Sequence, residues 1–76
     1  MVYYVETLTG GEIESRVAAP GENLADVLTV TAHSLREAGV MSAQLLEAPA
    51  NKTKDFGVGR VVATFTDADS WKPVPN

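Results

Sequence analysis

Val2-Tyr-Tyr-Val-Glu-Thr-Leu-Thr-Gly-Gly-Glu-Ile-Glu-Ser-Arg-Val-Ala-Ala19 is the stretch that decides the fold. Its first half is rich in β-branched and aromatic residues, which suit a pleated, half-buried surface. Gly10-Gly11 supplies the positive φ angles of a two-residue primed turn. The second half alternates, with Ile13, Val17 and Ala19 on one side and Glu12, Glu14 and Arg16 on the other. Such a turn sets Thr9 opposite Glu12 and Leu8 opposite Ile13. An unbroken register then sets Glu6 opposite Ser15, Tyr4 opposite Val17 and Val2 opposite Ala19. The expected inner face is Val2, Tyr4, Leu8, Ile13, Val17 and Ala19, interrupted by Glu6. The outer face holds Tyr3, Val5, Thr7, Glu12, Glu14 and Arg16. Glu6 therefore needs an account: either it reaches water beside Ser15 at the sheet edge, or it pairs with Lys52, Lys54 or Arg60. A buried, unpaired carboxylate would cost several kcal/mol or titrate upward.

Outward from the hairpin, Pro20-Gly21 ends the strand and Asn23 is placed to cap a helix over residues 24–38. Leu24, Val27, Leu28, Thr31, Leu35 and Ala38 fall on one stripe of that helix, with Asp26, Thr29, His33, Arg36 and Glu37 opposite. Gly39 suits the left-handed position after the helix, and Val40 the hydrophobic contact back onto it. Residues 41–48 read as a strand in preference to a second short helix, and residues 49–58 as a loop. Residues 59–66 alternate again, with Val61, Ala63 and Phe65 on one side and Arg60, Val62, Thr64 and Thr66 on the other. Residues 67–76 contain Pro73 and Pro75 and read as an irregular tail anchored by Trp71. The expectation is an α+β domain over residues 1–66 in the order ββαββ. It has an antiparallel sheet of about four strands and one amphipathic helix on one face.

Composition limits the chemistry. The chain has 76 residues, a net charge of −4 and no cysteine, so disulfides, thiolate metal sites and cysteine nucleophiles are excluded. The N-terminus has neither the basic nor the apolar region of a secretory signal, and no apolar run is long enough to span a bilayer. A cytoplasmic protein with no membrane partner is expected. The material for a core is thin: of the chain's 34 hydrophobic residues 10 are Ala, with only 6 Leu and 1 Ile. Apolar burial and the cost of ordering the chain are each on the order of 110 kcal/mol and cancel. Small size thus argues for association, first as a homodimer.

Catalytic and metal-binding patterns are weak. His33, the one histidine, lies opposite the helix stripe and beside Glu37 at i+4, an ordinary solvated pair. Asp67-Ala-Asp69-Ser70 opens like a calcium loop, but Lys72 stands at the sixth position, where glycine is required, and the twelfth lies past Asn76. No catalytic, metal or cofactor residue is assigned, and no enzyme activity or cofactor is expected.

The loop Asn51-Lys-Thr-Lys-Asp-Phe-Gly-Val-Gly-Arg60 combines cations with an aromatic ring, the pairing that single-strand nucleic acid binding uses. Its candidate contacts are Lys52, Lys54, Phe56 and Arg60. Yet residues 1–38 carry six acidic side chains against Arg16 and Arg36, while residues 39–76 carry four of each sign. Net negative charge disfavours phosphate and suits a basic protein partner. The leading expectation is a small non-catalytic protein-interaction module, homodimeric or bound to a basic protein. An acidic accessory or inhibitor of the phage or mobile-element type is one form of it. The contact would use a sheet edge or the face bearing Tyr3, Val5 and Val62, taken to point away from the helix. Nucleic-acid binding through the loop is the alternative. The ββαββ order is common to unrelated small domains and assigns no function by itself.

Overall fold

The computed structural model describes residues 1–75. Strands β1 (Val2–Thr9) and β2 (Glu12–Ala18) form the hairpin, followed by helix α1 (Leu24–Glu37), β3 (Ser42–Ala48), β4 (Arg60–Thr66) and β5 (Ser70–Pro73). The sheet is antiparallel throughout, in the order β2-β1-β3-β4-β5. Both β2 and β3 run antiparallel to β1 and so parallel to each other, with α1 in the crossover between them.

Local chemistry explains most of these limits. Gly10 and Gly11 take φ values of 60° and 83°, as a primed turn demands. Asn23 Oδ1 accepts from the amides of Ala25 and Asp26 at 2.8 and 3.4 Å and satisfies two open donors of the first helical turn. At the other end the Gly39 amide donates to Arg36 O and the Val40 amide to Leu35 O, the paired bonds of a Schellman stop. The helix buries Val27, Thr31 and Leu35, while Leu24 and Ala38 at the ends of the expected stripe stay exposed.

Within residues 67–76, expected to be irregular, Ser70–Pro73 instead form a fifth strand, and Asn76 lies outside the described residues. Asp67 to Asp69 form a tight connection in which Ser70 takes a positive φ of 60° and the Asp69 amide donates to Thr66 Oγ1. Pro73 is tolerated because β5 is an edge strand, where a missing amide donor costs little. Trp71 does anchor this segment. Its ring meets Phe65 edge-on with centroids 5.4 Å apart, and its Nε1–H donates to Thr31 Oγ1 at 3.0 Å. Thr31 in turn donates to Val27 O. The helix is thereby tied to β5, and its buried residues pack in two clusters: Val27 with Leu45 and Ala63, and Leu35 with Ala43 and Phe65. The helix axis thus sits over β3–β5 rather than over the hairpin.

These contacts set the cost of loosening the C-terminal strand. Trp71→Phe keeps a ring against Phe65 and removes the indole donor, for an expected loss of about 1 kcal/mol. Trp71→Ala removes both and is expected to cost about 3 kcal/mol. Denaturant midpoints followed by circular dichroism, at constant m-value, separate the two.

Candidate functional site

The hairpin register holds from the turn only as far as Leu8 and Ile13. There Glu14 is inserted as a bulge, and beyond it Thr7 pairs with Ser15, Glu6 with Arg16 and Val5 with Val17. The bulge places an acid opposite a base. Glu6 and Arg16 are both buried, with Arg16 Nη1 donating to Glu6 Oε2 at 2.7 Å. Glu6 thus pairs with Arg16 rather than with Lys52, Lys54 or Arg60, and Ser15 bonds instead to the Thr7 hydroxyl at 2.6 Å.

The pair organises the long loop, residues 49–59. Successive turns run along it, with the amides of Lys52, Asp55 and Val58 donating to the carbonyls of Pro49, Lys52 and Asp55. Arg16 Nε donates to Lys52 O and Nη2 to Val58 O, the Tyr4 hydroxyl to Pro49 O, and the Gly57 amide to Glu6 Oε2. Gln44 Nε2 donates to the other Glu6 oxygen, and the Arg16 guanidinium lies 4.3 Å from the Tyr4 ring centroid. Gly59 closes the loop against β3: with φ of 126°, a Cβ there would stand 2.8 Å from Glu47 O. Among the described residues no buried side-chain nitrogen or oxygen lacks a partner. Burial pushes the Glu6 carboxyl upward in pKa. The bonds from Gly57, Arg16 and Gln44 and the Arg16 charge outweigh it and hold the group below the ordinary glutamate range.

The loop therefore covers the sheet face bearing Tyr4 and Glu6, and the helix covers the other. This reverses the expected sides. Tyr3, Val5 and Val62 do not form an outer surface: they are partly buried and pack against the Val27, Leu45 and Ala63 cluster. Val62 reaches that cluster at a second bulge, where Leu45 pairs with Ala63 and Leu46 with Val61. Val17, expected in the core, is 61% exposed.

Of the loop residues, Lys52 lies 3.6 Å from Asp55 and Arg60 3.0 Å from Glu47, so two of the three cations stand beside acids. Phe56 and Lys54 are exposed, and the Gly57 amide is already used by Glu6. His33 and Glu37 form the exposed i,i+4 contact expected of them, at 3.1 Å. Among the described residues no cluster of His, Cys, Asp or Glu is arranged to hold a metal ion, and no helix is long and apolar enough to cross a membrane.

What sequence reading does not anticipate is the space beside the helix. Because α1 sits over β3–β5, an apolar groove of about 260 Å³ opens between it and the hairpin. Val5, Val17, Leu35, Ala38 and Val40 line it, with the hydroxyl residues Thr7, Ser15, Thr31 and Ser34. It runs toward a more polar depression of about 400 Å³ near the hairpin turn, bordered by Leu8, Gly10, Glu14 and Met41. In comparisons with known proteins, no family model, no curated sequence and no solved structure matches this chain.

The Glu6–Arg16 cluster makes two predictions. Arg16→Met leaves a buried carboxylate without its cation and is expected to cost about 3–5 kcal/mol. Amide exchange should then rise across residues 49–59 before it rises in β3. The second concerns pH. A carboxyl held below its ordinary value, near 4.5, gives stability that is present above that pH and lost as pH falls through the lowered folded value. Glu6→Gln is expected to be less stable at neutral pH and to lose that part of the acid dependence, measured as urea midpoints from pH 7 down to pH 3.

Proposed function

We propose that this protein is a non-catalytic interaction module that binds a basic protein partner through its hairpin and helix. The observation that supports this most directly is where the net charge lies once ion pairs are assigned. Glu6 is neutralised by Arg16, which leaves Glu12, Glu14, Glu22, Asp26 and Glu37 exposed on residues 1–38 against Arg36 alone. In the rest of the chain Glu47, Asp55 and Asp69 each stand beside a cation. The whole excess of −4 thus sits on the half of the molecule that borders the apolar groove.

A surface that is apolar at its centre and charged at its rim is the usual anatomy of a protein interface. The sign of the rim selects a basic partner and speeds encounter with it. An accessory or inhibitory role toward a basic protein agrees with this pattern. Self-association through the same surface would set like charges against one another, so we rank a homodimer second. Nucleic acid ranks third, because acids already sit beside two of the three loop cations.

Fluorescence polarisation tests the ranking with a lysine-rich peptide and a single-stranded oligonucleotide at low salt. The peptide is expected to bind and to be displaced by salt. Glu12→Gln, Glu14→Gln and Glu37→Gln combined should weaken it about tenfold, at a few tenths to 1 kcal/mol per exposed charge. Preferential binding of the oligonucleotide, weakened by Lys52→Ala with Lys54→Ala, would overturn the assignment.

A further inference from the structure

We infer that the groove and the open edge of β2 together take up an extended basic segment of a partner protein, which adds to the sheet as a sixth strand. This rests on the interaction reading above and specifies how the partner is held. The two edges of the sheet differ. β5 is four residues long and ends in Pro73, which offers no amide. β2 is seven residues long, contains no proline, and has no strand on its outer side among the described residues.

The Ala19 amide donates inward to Tyr3 O. Alternation then turns the Ala18 amide outward, toward the open edge. The bulge confines irregularity to Glu14, so residues 15–18 offer a regular ladder. A strand seated there gains backbone hydrogen bonds on one side. Its alternate side chains can drop over Val17, which is 61% exposed, into the groove.

Charge selects the occupant. Glu14 immediately precedes groove-lining Ser15, and Glu37 immediately precedes groove-lining Ala38. Asp26 and Val30 continue, at i+4 spacing, the helix ridge on which Ser34 and Ala38 lie. A segment whose groove-facing alternate residues are apolar at its centre and basic at its ends fits both the apolar floor and the acidic rim. A second copy of β2, paired antiparallel over residues 15–18, would set Glu14 opposite Ala18 or Pro20 and supply the rim with no base, whereas a basic segment supplies one.

The probe is a fluorescein-labelled peptide in which one set of alternate residues runs lysine, valine, valine, lysine with threonine between them, beside the same peptide methylated on alternate backbone nitrogens. The unmodified peptide should bind and the methylated one should lose about tenfold or more, as expected when one or two hydrogen bonds are removed. Ala18→Pro removes the outward donor and leaves the bond from Ala19 in place, and Val17→Asn makes the groove wall polar. Both positions are exposed, so both variants should fold, with unfolding curves as the check, and both should weaken the unmodified peptide. Amide shifts in the wild-type complex should concentrate on residues 15–18 and on the helix ridge at Ser34 and Ala38.

Equal binding of the two peptides, unaffected by Ala18→Pro, would overturn strand addition while leaving a basic partner in place. Binding by neither peptide, with the glutamate-to-glutamine set also without effect on any polycation, would overturn both readings. A dimer in sedimentation that Ala18→Pro dissolves would make the occupant a second copy and overturn the charge argument.

Discussion

A buried ion pair between neighbouring strands governs this small fold. Glu6 and Arg16 face each other across β1 and β2, and neither is left to water. Burial of a carboxylate and a guanidinium is costly unless every remaining donor and acceptor is used. Here Gly57 and Gln44 complete the carboxylate, while Lys52 and Val58 carbonyls complete the guanidinium. The pair is therefore less a source of net stability than a selector of one arrangement. Only with residues 49–59 folded onto that face are its demands met. A long connection thereby becomes the second cover of the sheet.

That cover explains how so thin a core suffices. Only one helix is available, yet both faces of the sheet carry apolar residues. The loop shields Tyr4 with a hydroxyl bond to Pro49, and the helix shields Leu45 and Phe65 on the other face. The helix cannot span five strands, and the bond from Trp71 to Thr31 decides which part it covers. β3 to β5 receive it, and β1 and β2 keep a groove. Thr31 serves both sides of this division, since it accepts from Trp71 and also lines the groove.

The sequence made some of this legible and hid the rest for identifiable reasons. The hairpin turn, the helix with both its caps and the central strand β3 follow from local signals, because glycine, asparagine and alternation act over a few residues. The α+β class with one helix on an antiparallel sheet follows from them. The Glu14 bulge does not. Nothing in Glu12-Ile-Glu-Ser-Arg16 announces it, and its cause lies some forty residues away, in the loop carbonyls that Arg16 reaches. One inserted residue shifts the pairing, so Glu6 met Arg16 instead of Ser15 and Val17 came to lie opposite Val5 instead of Tyr4. β5 was hidden by Pro73 and the nearby Pro75, since proline argues against a strand anywhere but an edge. The acidic bias of the first half was plain from composition, whereas the groove it borders depends on the helix's offset, a tertiary property that no local pattern encodes.

Open edges are ordinarily hazards, and proteins blunt them with charge, brevity or proline. Here the two edges are treated differently. β5 is short and ends in proline, whereas β2 keeps a regular run of backbone behind two glutamates and a bulge. If solubility were the only requirement, either sign of charge on β2 would serve, and the neutral half of the molecule would need its share. Instead residues 39–76 balance acids with bases in number, and the imbalance lies on the hairpin and helix half that lines the groove. On the reading proposed above, this arrangement suits the open edge to a strand of opposite charge. Selectivity of this kind comes from what the surface rejects as much as from what it attracts. The Glu6–Arg16 pair belongs to the same logic: by turning the one buried cation of β2 to the loop face, it leaves the groove side of the hairpin without a base.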